Sequence, residues 1–182
     1  SLPGSFPRPK PGQFVMIKTE PFLRRPLSVH KTSKENVELI YEVLGKGTQA
    51  LARRKAGEYI DLIGPLGNGF NYQLSALPDR QADILSQQAI LVAGGMGVAP
   101  LVFLAQKLKN AKGLVLIGAR NKKQLLCEKE FQKSGFSVKI ATDDGSAGFK
   151  GRVTGLLEKY LREKSRSPKT KKSYNAITVY AC

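Results

Sequence analysis

A buried strand that runs through three glycines into a helix constrains this chain more than any other stretch. Residues 89–93 are apolar without alternation, which is typical of a strand covered on both faces of a parallel sheet. Gly94, Gly95 and Gly97 follow, and Pro100 then opens an apolar run at helical spacing, where its missing N–H is no loss. The stretch therefore predicts a strand, a tight turn and the N-terminus of a helix.

Such a turn is suited to binding an anion. Glycine lets the backbone approach a phosphate closely, free N–H groups point at it, and the helix dipole favours negative charge. Pro100 stands where the usual G-x-G-x-x-G fingerprint has its third glycine. From this stretch alone, a phosphate site and a tight turn without a ligand both stay open.

The net charge of +16, from 30 basic and 14 acidic residues, would suit a nucleic acid. Much of the excess is local, between residues 159 and 172, and no recognition helix, zinc finger or aromatic RNA-binding pattern accompanies it. We therefore expect a solvated linker in that segment and no nucleic-acid partner.

Cysteine content and hydropathy exclude other classes of protein. With only Cys127 and Cys182, no disulfide framework and no four-cysteine metal site can form, and we expect no metal site. No apolar run approaches the ~20 residues that cross a bilayer, and residues 1–10 lack the apolar core of a signal peptide. We expect a cytoplasmic protein without a membrane partner.

The first half predicts a small antiparallel barrel. Short strands are predicted over residues 13–18, 22–30, 37–44 and 59–63. Pro26 requires an edge or a bulge in the second strand. A short helix is predicted over 49–55, with Thr48 as its N-cap, and residues 64–70 are predicted to form a loop.

The second half alternates strands with helices, which indicates a five-stranded parallel α/β domain with right-handed crossovers. The predicted order is strand 89–93, helix 98–109, strand 113–119, helix 124–134, strand 137–142, loop 143–151, helix 153–163 and strand 176–180.

The polar residues 71–88 predict a link between two domains, covering residues 1–86 and 87–182. Ligands of parallel sheets lie beyond the carboxyl ends of the strands. Four loops are therefore expected to meet at one edge, and they begin at Gly94, Gly118, Asp143 and Ala181.

Two stretches of the first half also offer phosphate ligands. In Arg24-Arg25-Pro26-Leu27-Ser28, the planar guanidinium fork suits a phosphate and the hydroxyl can bond a ring nitrogen. Exposed arginines and an ordinary strand serine are the plain alternative. Gly47 and Thr48 offer an N–H and a hydroxyl to a second phosphate, and a simple helix cap is the alternative.

Taken together, these pieces come in the order and spacing of one family. They are Pro11-Gly-Gln-Phe-Val-Met16, Arg25-Pro-Leu-Ser28, Gly45-Lys-Gly-Thr48, Gly64-Pro-Leu-Gly-Asn-Gly-Phe70, Gly94-Gly-Met-Gly-Val-Ala-Pro100, Gly118-Ala-Arg120 and Val179-Tyr-Ala-Cys182. Over about residues 11–182, the sequence resembles the ferredoxin reductase-like flavoproteins. The Gly-Asn-Gly-Phe loop and residues 142–153 resemble the branch of electron-transfer subunits of bacterial dihydroorotate dehydrogenase.

The resemblance implies a flavin-binding barrel followed by a pyridine-nucleotide domain, with FAD and NAD(P)H as cofactors. The residues implied to contact FAD are Arg25, Pro26, Leu27, Ser28, Ile40, Tyr41, Glu42, Gly47 and Thr48. The residues implied to hold the nicotinamide nucleotide are Gly94, Gly95, Gly97 and Val98, with Arg120 near its adenosine end. Asp143 either lines the nucleotide cleft or caps the loop that leads into helix 153–163. Two residues are implied to be catalytic: Ser28, near the reacting flavin nitrogen, and Cys182, beside the nicotinamide.

The function implied is an NAD(P)H-dependent flavin oxidoreductase that passes electrons to a partner. That partner would be a dihydroorotate dehydrogenase catalytic subunit, in pyrimidine biosynthesis, or another redox protein. Because the flavin supplies the reaction, no His/Asp/Glu constellation is needed, and the single histidine, His30, is expected to be structural. The four cysteines of that branch's iron–sulfur domain have no counterpart, so no cluster is expected in this chain.

Some alternatives stay open from sequence. Arg120, Lys122 and Lys123, without a nearby acid, would accept a 2′-phosphate, whereas the family resemblance favours NADH. A ferredoxin- or sulfhydrogenase-type reductase subunit is a neighbouring function. A nucleotide-binding module without turnover of its own is the alternative from another class.

Overall fold

The computed structural model describes residues 6–19, 23–72, 87–108, 113–166 and 176–182. The first half forms a four-stranded antiparallel sheet in the order β3-β2-β1-β4. Its strands are β1 (Phe14–Thr19), β2 (Leu23–Thr32), β3 (Val37–Leu39) and β4 (Leu62–Leu66), with the helix α1 (Lys46–Ala52) between β3 and β4 in sequence. The antiparallel first half predicted from the sequence is confirmed.

Pro26 lies at an edge of the sheet, as predicted from the sequence. It is paired with Met16 on β1, but β3 is paired with β2 only between Val29 and Thr32. The half of β2 that contains Pro26 therefore has one edge without a paired strand among the described residues, and the missing N–H costs no ladder hydrogen bond there.

Several predicted boundaries in this half were wrong. The third strand ends at Leu39 because residues 40–44 leave the sheet. The helix begins at Lys46 with Gly45 as its N-cap, so Thr48 lies inside the first turn and is not the cap. Its hydroxyl accepts the backbone N–H groups of Leu44 (3.0 Å) and Gly45 (3.2 Å), which holds the end of the 40–44 segment against α1.

The fourth strand is also displaced along the chain. It begins at Leu62 and runs to Leu66, through residues that were predicted to be a loop. Pro65 is accommodated because β4 is an outer strand of the sheet as described.

The second half forms a five-stranded parallel sheet in the order β8-β7-β6-β5-β9. Its strands are β5 (Gln87–Gly94), β6 (Gly113–Ala119), β7 (Ser137–Thr142), β8 (Phe149–Lys150) and β9 (Ala176–Ala181). Its helices are α2 (Val98–Lys107), α3 (Glu128–Lys133) and α4 (Val153–Arg166). The predicted five-stranded sheet is confirmed.

Several details of this half differ from the prediction: β5 begins at Gln87, inside the predicted link, and α4 continues to Arg166. The short strand β8 falls inside the predicted loop 143–151. Helix α3 begins only at Glu128, because residues 122–124 form a separate 3-10 turn capped by the Asn121 side chain.

The central strand β5 is buried on both faces. Leu91 packs in the same cluster as Leu101 and Val102 of α2, whereas Ile90 packs with Leu156 of α4 on the opposite side. A strand covered by helices on both faces needs apolar residues at every position, which explains why residues 89–93 do not alternate.

Helix α2 is buried from Val98 to Ala105 and connects the two sheets. Most of its apolar residues pack against the parallel sheet, but Phe103, only 1% exposed, packs with Val15, Ile17 and Val29 of the antiparallel sheet. A helix with apolar residues on all of its faces is stable only when other elements cover all of those faces. The two sheets therefore share a core through this helix.

Parts of the sequence analysis fall on residues outside those described. Residues 73–86 include most of the predicted link, so the boundary between residues 86 and 87 stays a prediction. Residues 167–175 include part of the basic segment. In the parts of the chain that the structure describes, no helix is long and apolar enough to cross a membrane.

We predict that Phe103→Ala lowers the free energy of unfolding by about 3–5 kcal/mol, because it removes the one aromatic side chain of α2 from the antiparallel core. Tyr59→Ala is the matched control, since Tyr59 is 99% exposed and its loss should cost less than about 0.5 kcal/mol. Urea-induced unfolding followed by circular dichroism measures both. Equal losses in the two variants would contradict the shared core.

Candidate active site

A cleft of about 850 Å³ lies between the antiparallel sheet and the carboxyl end of the parallel sheet. Residues 40–44 form one wall. The opposite wall is formed by the ends of β5, β6 and β7 and the start of α4, through residues 94–96, 118–120, 124, 126, 143 and 152–154. The volume is within the range of pockets that hold small molecules and cofactors.

The three glycines of the first turn serve different purposes. Gly95 has a φ of +53°, a conformation that other residues rarely adopt. A Cβ on Gly97 would lie 2.2 Å from the carbonyl oxygen of Cys182, so only glycine lets these two backbones approach. A Cβ on Gly94 would meet no described atom within 4 Å, which leaves this position open toward the cleft.

Helix α2 presents an uncompensated N-terminus beside this turn. Its first turn contains no acidic residue, and no side chain among the described residues caps it. The dipole of the helix therefore favours an anion here. Val98 is completely buried, and its backbone N–H donates to the carbonyl of Gly95 within the turn, so this N–H is not free for an anion.

Cys182 adjoins the same turn. Its N–H donates to the carbonyl of Val92 and its carbonyl accepts from the N–H of Gly94, both at 3.0 Å. The residue is exposed overall, yet partial burial of its thiol raises the pKa. The thiol is therefore protonated near neutral pH.

Charged side chains lie at the ends of neighbouring strands. Arg120 follows β6, Asp143 follows β7, and Arg152 precedes α4, and all three line the cleft. Of the two alternatives for Asp143, its position favours lining the cleft. The next residue, Asp144, accepts hydrogen bonds from the hydroxyl (2.6 Å) and the N–H (2.9 Å) of Ser146, which lower its pKa and order the loop.

A second group of predicted residues lies outside the lining of this cleft. A Cβ on Gly47 would lie 2.8 Å from Oγ1 of Thr19 and 2.9 Å from Nε of Arg25, so the glycine leaves room for both side chains against the first turn of α1. Arg25 makes no hydrogen bond or ion pair to any described residue. Arg24, in contrast, donates two hydrogen bonds to Asp61, at 3.0 and 2.9 Å.

The remaining predicted residues lie on β2. Ser28 is half-buried opposite Phe14, Leu27 packs against the antiparallel core, and Pro26 is exposed. None of these three is among the described residues that line the cleft. The structure thus brings together residues 40–42 with Gly94, Gly95, Arg120 and Asp143, and separately brings Arg25 to Gly47.

Sequence reasoning missed Val43, Leu44 and the start of α4. Val43 and Leu44 were assigned to a strand, although the following Gly-Lys-Gly marks a break. Arg152 precedes a predicted helix that starts at the same edge of the sheet, and that position was the available signal.

The chain is similar to several known proteins, although no family model matches it. Among curated proteins, it is 41% identical over 159 residues to the dihydroorotate dehydrogenase B (NAD(+)) electron transfer subunit of Desulforamulus reducens, covering 83% of this chain and 57% of that protein. It is 43% identical over 157 residues to the subunit of that name from Geobacillus kaustophilus, covering 82% and 58%. The chain thus spans less than two thirds of the length of these relatives.

The chain is also similar to solved structures of reductases. An NADH-dependent reduced ferredoxin–NADP oxidoreductase superposes with a TM-score of 0.69 at 34% identity, over 86% of this chain and 54% of that one. The ferredoxin reductase of carbazole 1,9a-dioxygenase superposes with a TM-score of 0.70 at 18% identity, over 97% and 53%, and so shows the fold alone.

The two sheets and the cleft between them therefore define a ferredoxin reductase-like flavoprotein fold. Within this class, the chain is similar in sequence to the electron transfer subunits of dihydroorotate dehydrogenase B. The family resemblance noted in the sequence is confirmed.

We predict that Gly97→Ala lowers the free energy of unfolding by about 1–3 kcal/mol, because the new methyl group overlaps the backbone of Cys182. Gly94→Ala should change it by less than about 0.5 kcal/mol, since Gly94 has an extended φ of −107° and open space around it. Chemical denaturation of both variants measures the difference. A Gly97→Ala variant as stable as Gly94→Ala would show that the turn does not rest on Cys182.

Proposed function

We propose that this chain binds FAD and NAD(P)H, takes hydride from the pyridine nucleotide onto the flavin, and passes electrons to a partner protein. The observation that carries the proposal is that one cleft is lined both by residues 40–44 of the antiparallel half and by the glycine turn of the parallel half. Hydride transfer requires the two rings to lie in contact.

The residues of the first half fit a flavin dinucleotide. Val43 is 49% exposed and Leu44 is 76% exposed on the wall of the cleft, and a planar ring system would cover such apolar side chains. Arg25 has a guanidinium group without a partner among the described residues, and it lies beside Gly47 at the first turn of α1, where it would bind a phosphate. Thr48 ties the end of the cleft wall to this phosphate position.

The residues of the second half fit a pyridine nucleotide. The uncapped N-terminus of α2 would take up the pyrophosphate, and Arg120 and Arg152 add positive charge along the same wall. Asp143 would accept from a ribose hydroxyl. We therefore propose that residues 1–86 form the FAD-binding domain and residues 87–182 the NAD(P)H-binding domain.

FAD, when bound, accepts a hydride and releases electrons singly, and the protein supplies position and polarity. The described cleft accordingly needs no general acid or base. Cys182, kept protonated, would pack beside the nicotinamide without acting as a nucleophile. The sequence resemblance implies a hydrogen bond from Ser28 to the flavin ring, and the ring would have to extend beyond the described lining of the cleft to reach it.

The partner is proposed from the relatives. Proteins named as the electron transfer subunit of dihydroorotate dehydrogenase B are similar to this chain, so the catalytic subunit of such an enzyme is the proposed acceptor. Similarity to an NADH-dependent ferredoxin–NADP oxidoreductase favours a ferredoxin-type acceptor as the second candidate. The 182 residues hold two cysteines, so they do not offer the four-cysteine set of an iron–sulfur cluster.

We predict that the purified chain is yellow and that anaerobic NADH or NADPH bleaches its visible absorption. The sequence leaves open whether NADH or NADPH is preferred. The nucleotide that bleaches the flavin at the much lower concentration is the preferred one. If the protein is colourless, cannot be reconstituted with FAD and still binds the nucleotide, the result would instead support a nucleotide-binding module.

We predict that Arg25→Ala weakens FAD binding at least tenfold, because the guanidinium group has no protein partner and is available for a phosphate. Arg24→Ala is the matched control, since Arg24 is occupied by Asp61 and should change FAD binding little. The flavin retained after gel filtration, and the dissociation constant from fluorescence quenching, measure both variants. Equal retention in Arg25→Ala and wild type would exclude this assignment.

A further inference from the structure

A second cluster of polar side chains lies where the antiparallel sheet meets α3, apart from the cleft. His30 comes from β2, and Cys127 and Glu130 come from the start of α3. One ring nitrogen, the sulfur and a carboxylate oxygen all lie within 4.8 Å of one another. The described part of the chain contains no other such group of three His, Cys, Asp or Glu residues.

The orientation of the His30 ring favours a ligand at its second nitrogen. The residue is 5% exposed, and Nδ1 lies 3.2 Å from the carbonyl oxygen of Ala99, to which it can only donate. In the neutral ring, the lone pair is then on Nε2. Histidines that bind metals commonly hold their other N–H in this way, against a backbone carbonyl.

The distance from Nε2 to the carboxylate suits two ligands of one ion. Nε2 lies 3.4 Å from Oε1 of Glu130, and without a bound proton both atoms are acceptors. This separation is longer than the usual N–H···O distance of about 2.7–3.2 Å. It matches the roughly 3.3 Å between neighbouring ligands of a tetrahedral zinc ion with bonds of about 2.0–2.1 Å.

The backbone at Cys127 supplies an independent indication. Its φ of +62° is the one positive φ at a non-glycine position among the described residues. Such conformations persist where the surrounding structure requires them and cluster at functional sites. As the N-cap residue of α3, Cys127 is three positions before Glu130, which places both side chains on one side of the first turn.

When no ion is present, Lys31 forms an ion pair with the carboxylate of Glu130. Its ammonium group contacts Oε1 of Glu130 and lies 3.9 Å from a carboxylate oxygen of Glu38. An ion entering the cluster would displace Lys31 toward Glu38, which is already within reach. Because zinc binds cysteine as the thiolate, binding of the ion would release the Cys127 proton to solvent.

We propose that His30, Cys127 and Glu130 bind one Zn²⁺ ion, with water as the fourth ligand, and that the ion clamps β2 to α3. The nitrogen, sulfur and oxygen donors are those zinc accepts. From the two cysteines alone, the sequence predicted no metal site. His30 and Glu130 are 100 positions apart, and only the fold brings them together.

The test is a titration of the chelator-treated full chain with zinc sulfate by calorimetry, combined with X-ray absorption at the zinc edge. We expect one equivalent bound, with one sulfur and at least one imidazole nitrogen around the ion. Cys127→Ser should weaken binding at least tenfold, and Cys182→Ser, the matched control, should not change it. Lys31→Met should tighten binding, because the competing ammonium group is gone.

Three results would overturn the proposal. They are a zinc environment of oxygen and nitrogen atoms only, equal weakening by the two cysteine variants, and weaker binding in Lys31→Met. If Cys127→Ser does not fold, as judged by circular dichroism, Glu130→Gln takes its place, and the X-ray absorption of the wild-type chain decides by itself. None of these measurements depends on bound flavin or on turnover.

Discussion

The burial of α2 on every side is the constraint on which the rest of the structure depends. The helix contributes Leu101, Val102 and Leu104 to the core of the parallel sheet and Phe103 to the core of the antiparallel sheet. Its carbonyl at Ala99 also contacts the buried ring of His30 on β2. Because the glycine turn ends where this helix begins, the packing that joins the two sheets also sets the distance from the turn to the wall at residues 40–44. The cleft is therefore a consequence of the shared core.

The site relies more on backbone than on side chains. Gly95 adopts a conformation closed to most residues, Gly97 meets the backbone of Cys182, and Gly47 leaves room for Arg25. Such a site suits a reaction in which the cofactors carry the chemistry and the protein holds two phosphate-bearing molecules in register. Arg24 is bound to Asp61, whereas the adjacent Arg25 has no described partner and so is available for the proposed phosphate contact.

Local signals predicted much of this fold, and interactions between distant residues account for what they missed. Residues 89–101 predicted β5, the turn and α2, because a strand buried on both faces and an uncapped helix leave clear patterns. Residues 40–44 resemble a strand in sequence but leave the sheet to line the cleft, and Thr48 satisfies N–H groups before α1 and is not its cap. Strand β8 has two residues, too few for any periodicity. The cluster of His30, Cys127 and Glu130 joins residues whose proximity only the fold creates.

The most direct test of a shared cleft is a stacking interaction that only adjacent rings can give. The FAD-loaded chain is reduced chemically under argon, oxidised pyridine nucleotide is added, and the long-wavelength absorbance is recorded. A broad charge-transfer band is predicted, because a reduced flavin and a nicotinamide held in this cleft would lie face to face. If both cofactors are bound, as shown by equilibrium dialysis, and no such band forms, the two sites do not share one cleft.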